Sequence, residues 1–285
     1  MRLSRTLIAI VVLLLPELSS ALGVGEQDCT GFVFANGFDQ PAPVMAFATS
    51  YGYFYRFDLR NPETVKVVSS SHVTTFKLDF IGADFSRAYG IDTSGITMNT
   101  FAMIDTATGE ITPIGISDPS ADYDEEWGAG RFSGFKYDVT SGIAYASGSN
   151  CTSESAHLYT IDMTNGASTV VGPLTGMRCG GAIAISPTGA MYGLSRSTND
   201  LFAIDKETAV ASPIGFIGFR TTSVYDIEFD DASGVLYYAG WNRDTDVDEL
   251  RTVDLNTGET ALVGAIGIEH QFIEGLAIET HACRK

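Results

Sequence analysis

Five stretches of the chain align on an aspartate without gaps, and this repetition limits the fold more than any other feature. They are FYRFDLRNPETVKVV (54–68), FAMIDTATGEITPIG (101–115), LYTIDMTNGASTVVG (158–172), LFAIDKETAVASPIG (201–215) and LRTVDLNTGETALVG (250–264). The anchors Asp58, Asp105, Asp162, Asp205 and Asp254 stand 47, 57, 43 and 49 residues apart. Phe or Leu lies four residues before each anchor, and an apolar residue directly before it. Each copy reads as strand, Asp-led turn, strand. The Asp carboxylate can accept backbone N–H groups two residues on, and Gly109, Gly166 and Gly258 suit a φ > 0 position in three of the turns. The strands are apolar without clean alternation, so both faces should be buried between neighbouring sheets.

A second hairpin precedes most copies, as GFKYDVTSGIAYASG (134–148), AIAISPTGAMYGLS (182–195), DIEFDDASGVLYYAG (226–240) and a weaker ADFSRAYGID (83–92). Four short strands in about 48 residues is the unit of a propeller blade. A helical period of apolar residues appears nowhere after the first segment. The expected fold is therefore all-β, a five-bladed β-propeller of four-stranded blades. The first copy is one strand short, and EGLAIET (274–280) is a strand without a hairpin. Inserting that C-terminal strand as the inner strand of the first blade closes the ring and removes a sheet edge.

Before the repeats, residues 1–23 have the makings of a signal peptide. Arg2 and Arg5 precede the apolar run Thr6–Leu15, and small residues follow near Ala21 and Gly23. Ten apolar residues fall short of the ~20 that span a bilayer, and no other run is longer, so the mature chain should have no transmembrane segment. The division expected is signal peptide 1–23, an N-terminal extension 24–40 and a single propeller domain 41–285. The protein should be secreted or periplasmic. Four cysteines in an exported chain point to two disulfides, and none has CxxC spacing for zinc. Ring closure favours Cys29–Cys283 with Cys151–Cys179, out of three pairings.

The Leu-Tyr-x-Ile-Asp-x-x-x-Gly-x-x-x-x-Val-Gly pattern resembles the repeats of secreted bacterial β-propeller proteins, many of them uncharacterised. The resemblance spans roughly residues 41–280 and speaks to architecture. It carries no catalytic residue onto this chain, and the first copy departs from it, with Asn61-Pro62 in the turn and Val68 in place of the closing glycine.

Chemistry is sparser. Seventeen Lys and Arg against 35 Asp and Glu give a net charge of −18, which excludes nucleic-acid binding through a broad basic face. There is no GxSxG elbow, HExxH, P-loop or dinucleotide-binding turn, and the four histidines are scattered. Two long acidic loops stand out on what should be one face of the ring. SDPSADYDEEWGAG (117–130) carries Tyr123, Glu125, Glu126 and Trp127, and WNRDTDVDE (241–249) begins with Trp241. These five residues form the candidate ligand site, an aromatic platform with carboxylates that accept hydroxyl hydrogen bonds. Asp244, Asp246 and Asp248 have the oxygen spacing of a calcium loop but lack its Gly at the sixth position and its acid at the twelfth. A solvated hairpin tip is the plainer reading, and no cofactor beyond calcium is indicated. The inner strands add Asp84, Asp138, Asp226, Glu228, Asp230 and Glu274, the acids a propeller glycosidase would use. The balance leans toward a non-catalytic binding or scaffolding module for an extracytoplasmic protein, glycan or divalent cation. A hydrolase using inner-strand carboxylates is the alternative.

Overall fold

The computed structural model describes residues 43–73, 76–94, 99–125, 129–268 and 272–280. The signal segment, the 24–40 extension, Cys29 and Cys283 lie outside the described residues. Each repeat forms one four-stranded antiparallel blade. Blade 1 contains β1 (Met45–Ser50), β2 (Gly52–Asp58) and β3 (Asn61–Val73). Blade 2 follows with β4 (Phe76–Phe80), β5 (Arg87–Asp92), β6 (Thr100–Asp105) and β7 (Ile111–Ile116). Blade 3 has β8 (Phe132–Asp138), β9 (Ile143–Asn150), β10 (Ser155–Ile161) and β11 (Ser168–Pro173). Blade 4 has β12 (Gly180–Ile185), β13 (Met191–Ser195), β14 (Asp200–Ile204) and β15 (Ala211–Phe216). Blade 5 has β16 (Thr221–Asp230), β17 (Val235–Asn242), β18 (Val247–Val253) and β19 (Thr260–Ala265). The last strand, β20 (Gly275–Ile278), pairs antiparallel with β1 and completes blade 1 from inside. The inner strands β20, β4, β8, β12 and β16 each contact the next, and β16 returns to β20. The molecule is a closed five-bladed β-propeller, as the repeat predicts.

Turn chemistry explains the repeated Asp. Asp105 Oδ1 accepts the N–H groups of Ala107 and Thr108, and Asp254 Oδ1 those of Asn256 and Thr257. The glycine that ends four of the copies has a different task. Gly115 pairs with Phe101 and Gly215 with Leu201, each beyond a β-bulge in the outer strand. A Cβ on Gly115 would lie 1.7 Å from the Asn165 carbonyl oxygen, and one on Gly215 would lie 2.1 Å from that of Thr257. These glycines let one blade rest against the Asp-led turn of the next.

Apolar side chains fill the space between blades in five clusters, one at each junction. Leu158, Ile183 and Ile204 represent the junction of blades 3 and 4, and Phe101, Phe135 and Tyr159 that of blades 2 and 3. Burial on both faces holds for the second and third strands of a blade. It fails for the outermost, where β7, β11 and β19 expose about half of their residues because nothing covers the rim.

Cys151 follows β9, Cys179 precedes β12, and the two form a disulfide across 28 residues. It joins blade 3 to the start of the inner strand of blade 4. The chain-entropy model assigns about 3–4 kcal/mol to a loop of this size. The Cys151→Ser, Cys179→Ser variant should melt lower by roughly 2–4 °C for each kcal/mol lost. Calorimetry that finds an unchanged midpoint would remove the bond from the list of structural struts.

Candidate functional site

Strand register places equivalent side chains of the five inner strands in layers around the axis. One layer comprises Asp79, Lys136, Ala184, Glu228 and Ala277, and the next Lys77, Gly134, Ala182, Asp226 and Gly275. Small residues leave room there for two lysines. Lys136 Nζ donates to the Leu78 carbonyl at 2.8 Å and the Leu276 carbonyl at 2.9 Å, and pairs with Glu228 at 2.7 Å and Asp226 at 3.3 Å. Lys77 Nζ donates to the carbonyls of Tyr225 and Glu274. Burial would push the Lys136 ammonium down, but Asp226, Glu228 and Asp79 outweigh it and hold it above the ordinary lysine value. Lys77 moves the other way, pushed down by burial that Asp226 and Glu274 only partly offset. The centre of the ring is a set of ion pairs, not an open bore.

Two mouths remain. At the face of the turns between inner and second strands, a cavity of about 250 Å³ reaches down to Asp79 and Glu228, with Asp231 and Thr280 at its rim. Burial raises Asp79 to about 7 and Asp231 to about 6, and raises Glu228 well above the usual carboxylate range. At the opposite face, where blades are joined, Arg131 precedes β8, Glu274 precedes β20, and Arg196 lies in the loop after β13. Burial raises Glu274, and Lys77, Arg196 and Arg131 pull it back. Burial also lowers Arg196, which is opposed by Tyr225 and Glu274 and reinforced by Arg131. Glu274 bonds the hydroxyl of Tyr51, which is 62% exposed. Trp241 packs edge-on against Phe272 at 4.6 Å, and Phe272 lies 6.5 Å from Tyr51. Among the described residues, an aromatic row thus leads to Glu274 with Arg131 and Arg196, and Lys77 buried below them.

The acidic loops are less open than their composition implies. Asp122 is fully buried in a 3-10 turn (Ser120–Asp122), accepts the Tyr159 hydroxyl at 2.7 Å and meets His157 Nδ1 at 2.9 Å. Asp124 is buried and accepts from Thr152. Tyr123, 53% exposed, and Glu125 face solvent, while Glu126 and Trp127 lie outside the described residues. In the second loop Asp244 is tied to Arg220 at 2.6 Å, Asp246 is exposed, and Asp248 is buried and accepts the Ile273 N–H. Glu249 bonds Asn242, Thr245 and Arg251. Among the described residues, no three His, Cys, Asp or Glu side chains are arranged to hold a metal ion. Of the inner-strand acids, Asp84, Asp138 and Asp230 cap turns, Asp226 pairs with Lys136, and Glu274 belongs to the other mouth. Glu228 alone of that set lines the cavity. Sequence reading passed over Lys77, Asp79 and Lys136. Their signal was the every-second-residue charge in FKLDF and GFKYD, inside otherwise apolar strands. Tyr51, Phe272, Arg131 and Arg196 carry no comparable pattern.

No family model matches the chain, and no curated protein does. Among solved structures, it is similar to a chain in the crystal structure of a nidogen/laminin complex, with a TM-score of 0.56 at 13% identity over 84% of this chain and 100% of that one. It also resembles a protein of unknown function from Bacteroides caccae, with a TM-score of 0.48 at 10% identity over 83% and 99% of the two chains. A structural genomics protein of unknown function from Bacteroides thetaiotaomicron gives 0.47 at 14% identity over 67% and 52%. Likeness at these identities is one of fold alone. Among the described residues no helix is long and apolar enough to cross a membrane.

The Lys136→Met variant would leave Glu228 and Asp226 buried without their counter-charge, a loss of about 3–5 kcal/mol. Adding Glu228→Gln should recover part of the denaturation midpoint, and failure to do so would separate the two residues. Asp248 provides a second test, since burial raises it to about 7 while the residue is only 3% exposed. An unfolded Asp titrates near 3.9, so the native state holds this proton more tightly. That contribution is fully present below about pH 4 and is lost as pH rises through 7. Asp248→Asn should therefore melt higher than the parent at pH 8, by a few degrees, with little difference at pH 4. Equal shifts at both pH values would exclude the titration.

Proposed function

We propose that this protein is an extracytoplasmic, non-catalytic binding module, and that its ligand docks on the blade-joining face. The observation that carries this reading is the row Trp241–Phe272–Tyr51 beside Glu274, Arg131 and Arg196. Tyr, Trp and Arg are the residues that dominate binding energy at interfaces. The mouth collects positive charge in a strongly acidic chain, which favours a ligand with an anionic group for the arginines and a flat or apolar edge for the rings. A protein loop or an acidic glycan offers both. Tyr123, Glu125, Glu126 and Trp127 belong to the loop leading into blade 3 and would extend the same surface. The chain in the nidogen/laminin complex gives a precedent for this architecture in a protein assembly.

Turn-capping roles for Asp84, Asp138 and Asp230 weaken the hydrolase alternative. A disulfide between Cys151 and Cys179 is compatible with residence outside the cytoplasm.

The test is a screen of the mature protein against glycan arrays and a panel of extracellular proteins. The best ligand is then titrated against variants. Tyr51→Ala, Trp241→Ala and Arg196→Ala should each weaken it at least tenfold, while Val170→Ala on the exposed outer strand β11 should not. Unchanged affinity in all three, together with Trp127→Ala, would sink the assignment of this face.

A further inference from the structure

The cavity at the opposite face is built over a shortage of hydrogen-bond donors. Lys136 Nζ carries three protons, yet four acceptors lie within 3.3 Å of it: the Leu78 and Leu276 carbonyls, Asp226 Oδ2 and Glu228 Oε2. Glu228 Oε2 has no partner apart from that ion pair. Charge is short as well. Lys136 faces Asp226, Glu228 and Asp79, while Asp231 at the rim adds a fourth acid next to Asp230. Asp79 is already committed, accepting the N–H groups of Phe80 and Tyr137, and Glu228 Oε1 accepts that of Phe229. The floor is therefore short of one donor and of positive charge, and Glu228 Oε2 is the atom left to receive them. Phe80, Phe85, Tyr137 and Phe229 form walls around this floor, surfaces that attract a cation and cover its methylenes.

We infer that this cavity is a receptor for an alkylammonium group. Its about 250 Å³ suits a short amine or the end of one lysine side chain, and Asp231 with Thr280 would meet the cation on entry. The two sources share one chemistry, and both differ from a metal ion, which would need several oxygens converging on one point. The site is separate from the blade-joining face and does not rest on what binds there.

The experiment is titration calorimetry of the full mature protein with n-butylammonium chloride, with n-butanol as the uncharged counterpart and calcium chloride as the metal. Blocked lysine amide and a lysine-containing peptide form a second arm. Butylammonium should bind, butanol at least tenfold more weakly, and binding should release protons at pH 6.5, seen as a dependence on buffer ionisation enthalpy. Glu228→Gln should weaken the amine at least tenfold. Asp231→Asn at the exposed rim gives a variant that does not disturb the ion pairs and should weaken it two- to fivefold. Preference for the peptide over butylammonium assigns the site to a partner's lysine, and the reverse assigns it to a free amine. Equal binding of butanol, displacement of the amine by calcium, or affinity unchanged in both variants would overturn the proposal.

Discussion

Two lysines within the axial space organise the ring. Each of the five inner strands presents a side chain to the axis at every second residue, and here that space holds charge. Lys136 bridges the gap by bonding carbonyls on β4 and β20 and carboxylates on β16, so one side chain from blade 3 touches three other blades. Lys77 from blade 2 reaches β16 and the residue preceding β20. Each lysine takes one carbonyl from β20 or the residue before it, so both sets of partners are complete only when β20 occupies its place in blade 1. The ion pairs therefore reward closure in one register. Buried pairs add little net stability, since desolvation offsets most of the attraction. Their contribution is better understood as a choice among ways of closing the ring.

Room for the lysines comes from other strands. Gly134, Ala182 and Gly275 share a layer with Lys77, and Ala184 and Ala277 share the other with Lys136. A Cβ on Gly275 would lie 1.9 Å from the Phe76 carbonyl oxygen, so that glycine also sets how closely β20 can approach β4. The inner strand of blade 4 has no charge in either layer. It is joined instead through side chains of blade 3, with the Ser147 hydroxyl on the Gly181 carbonyl and the Ser133 hydroxyl on the Gly180 carbonyl.

Blade count, strand count and ring closure were legible in the sequence, because each rests on local patterns that the chain repeats, and the Cys151–Cys179 pair followed only as the pairing that ring closure favours. Asp-led turns and apolar strands are consequences of short-range geometry. The glycines ending the copies were visible too, but their contact with the next blade was not, since it depends on packing between units. Side-chain partners at long separation were illegible for the same reason. Nothing near Asp122 marks it as a buried acceptor for Tyr159, or Asp248 as an acceptor for Ile273. Acidic composition suggested open loops, whereas folding turned several of those acids inward.

The packed axis has a consequence for how the two ends can act. With the bore filled, neither mouth gives passage to the other, and each must be understood by its own charges. The blade-joining mouth gathers Lys77, Arg131 and Arg196 around Glu274, and the cavity gathers Asp79, Glu228 and Asp231 over Lys136. Asp226 lies between them, paired with Lys136 and felt by Lys77. Its Oδ2 also accepts the Leu276 N–H of the closing strand. A cation over Glu228 would relieve Lys136 of one carboxylate and strengthen its hold on Asp226. The same change would alter the field at Lys77. Communication between the two faces would therefore run through one carboxylate that also anchors the strand closing the ring.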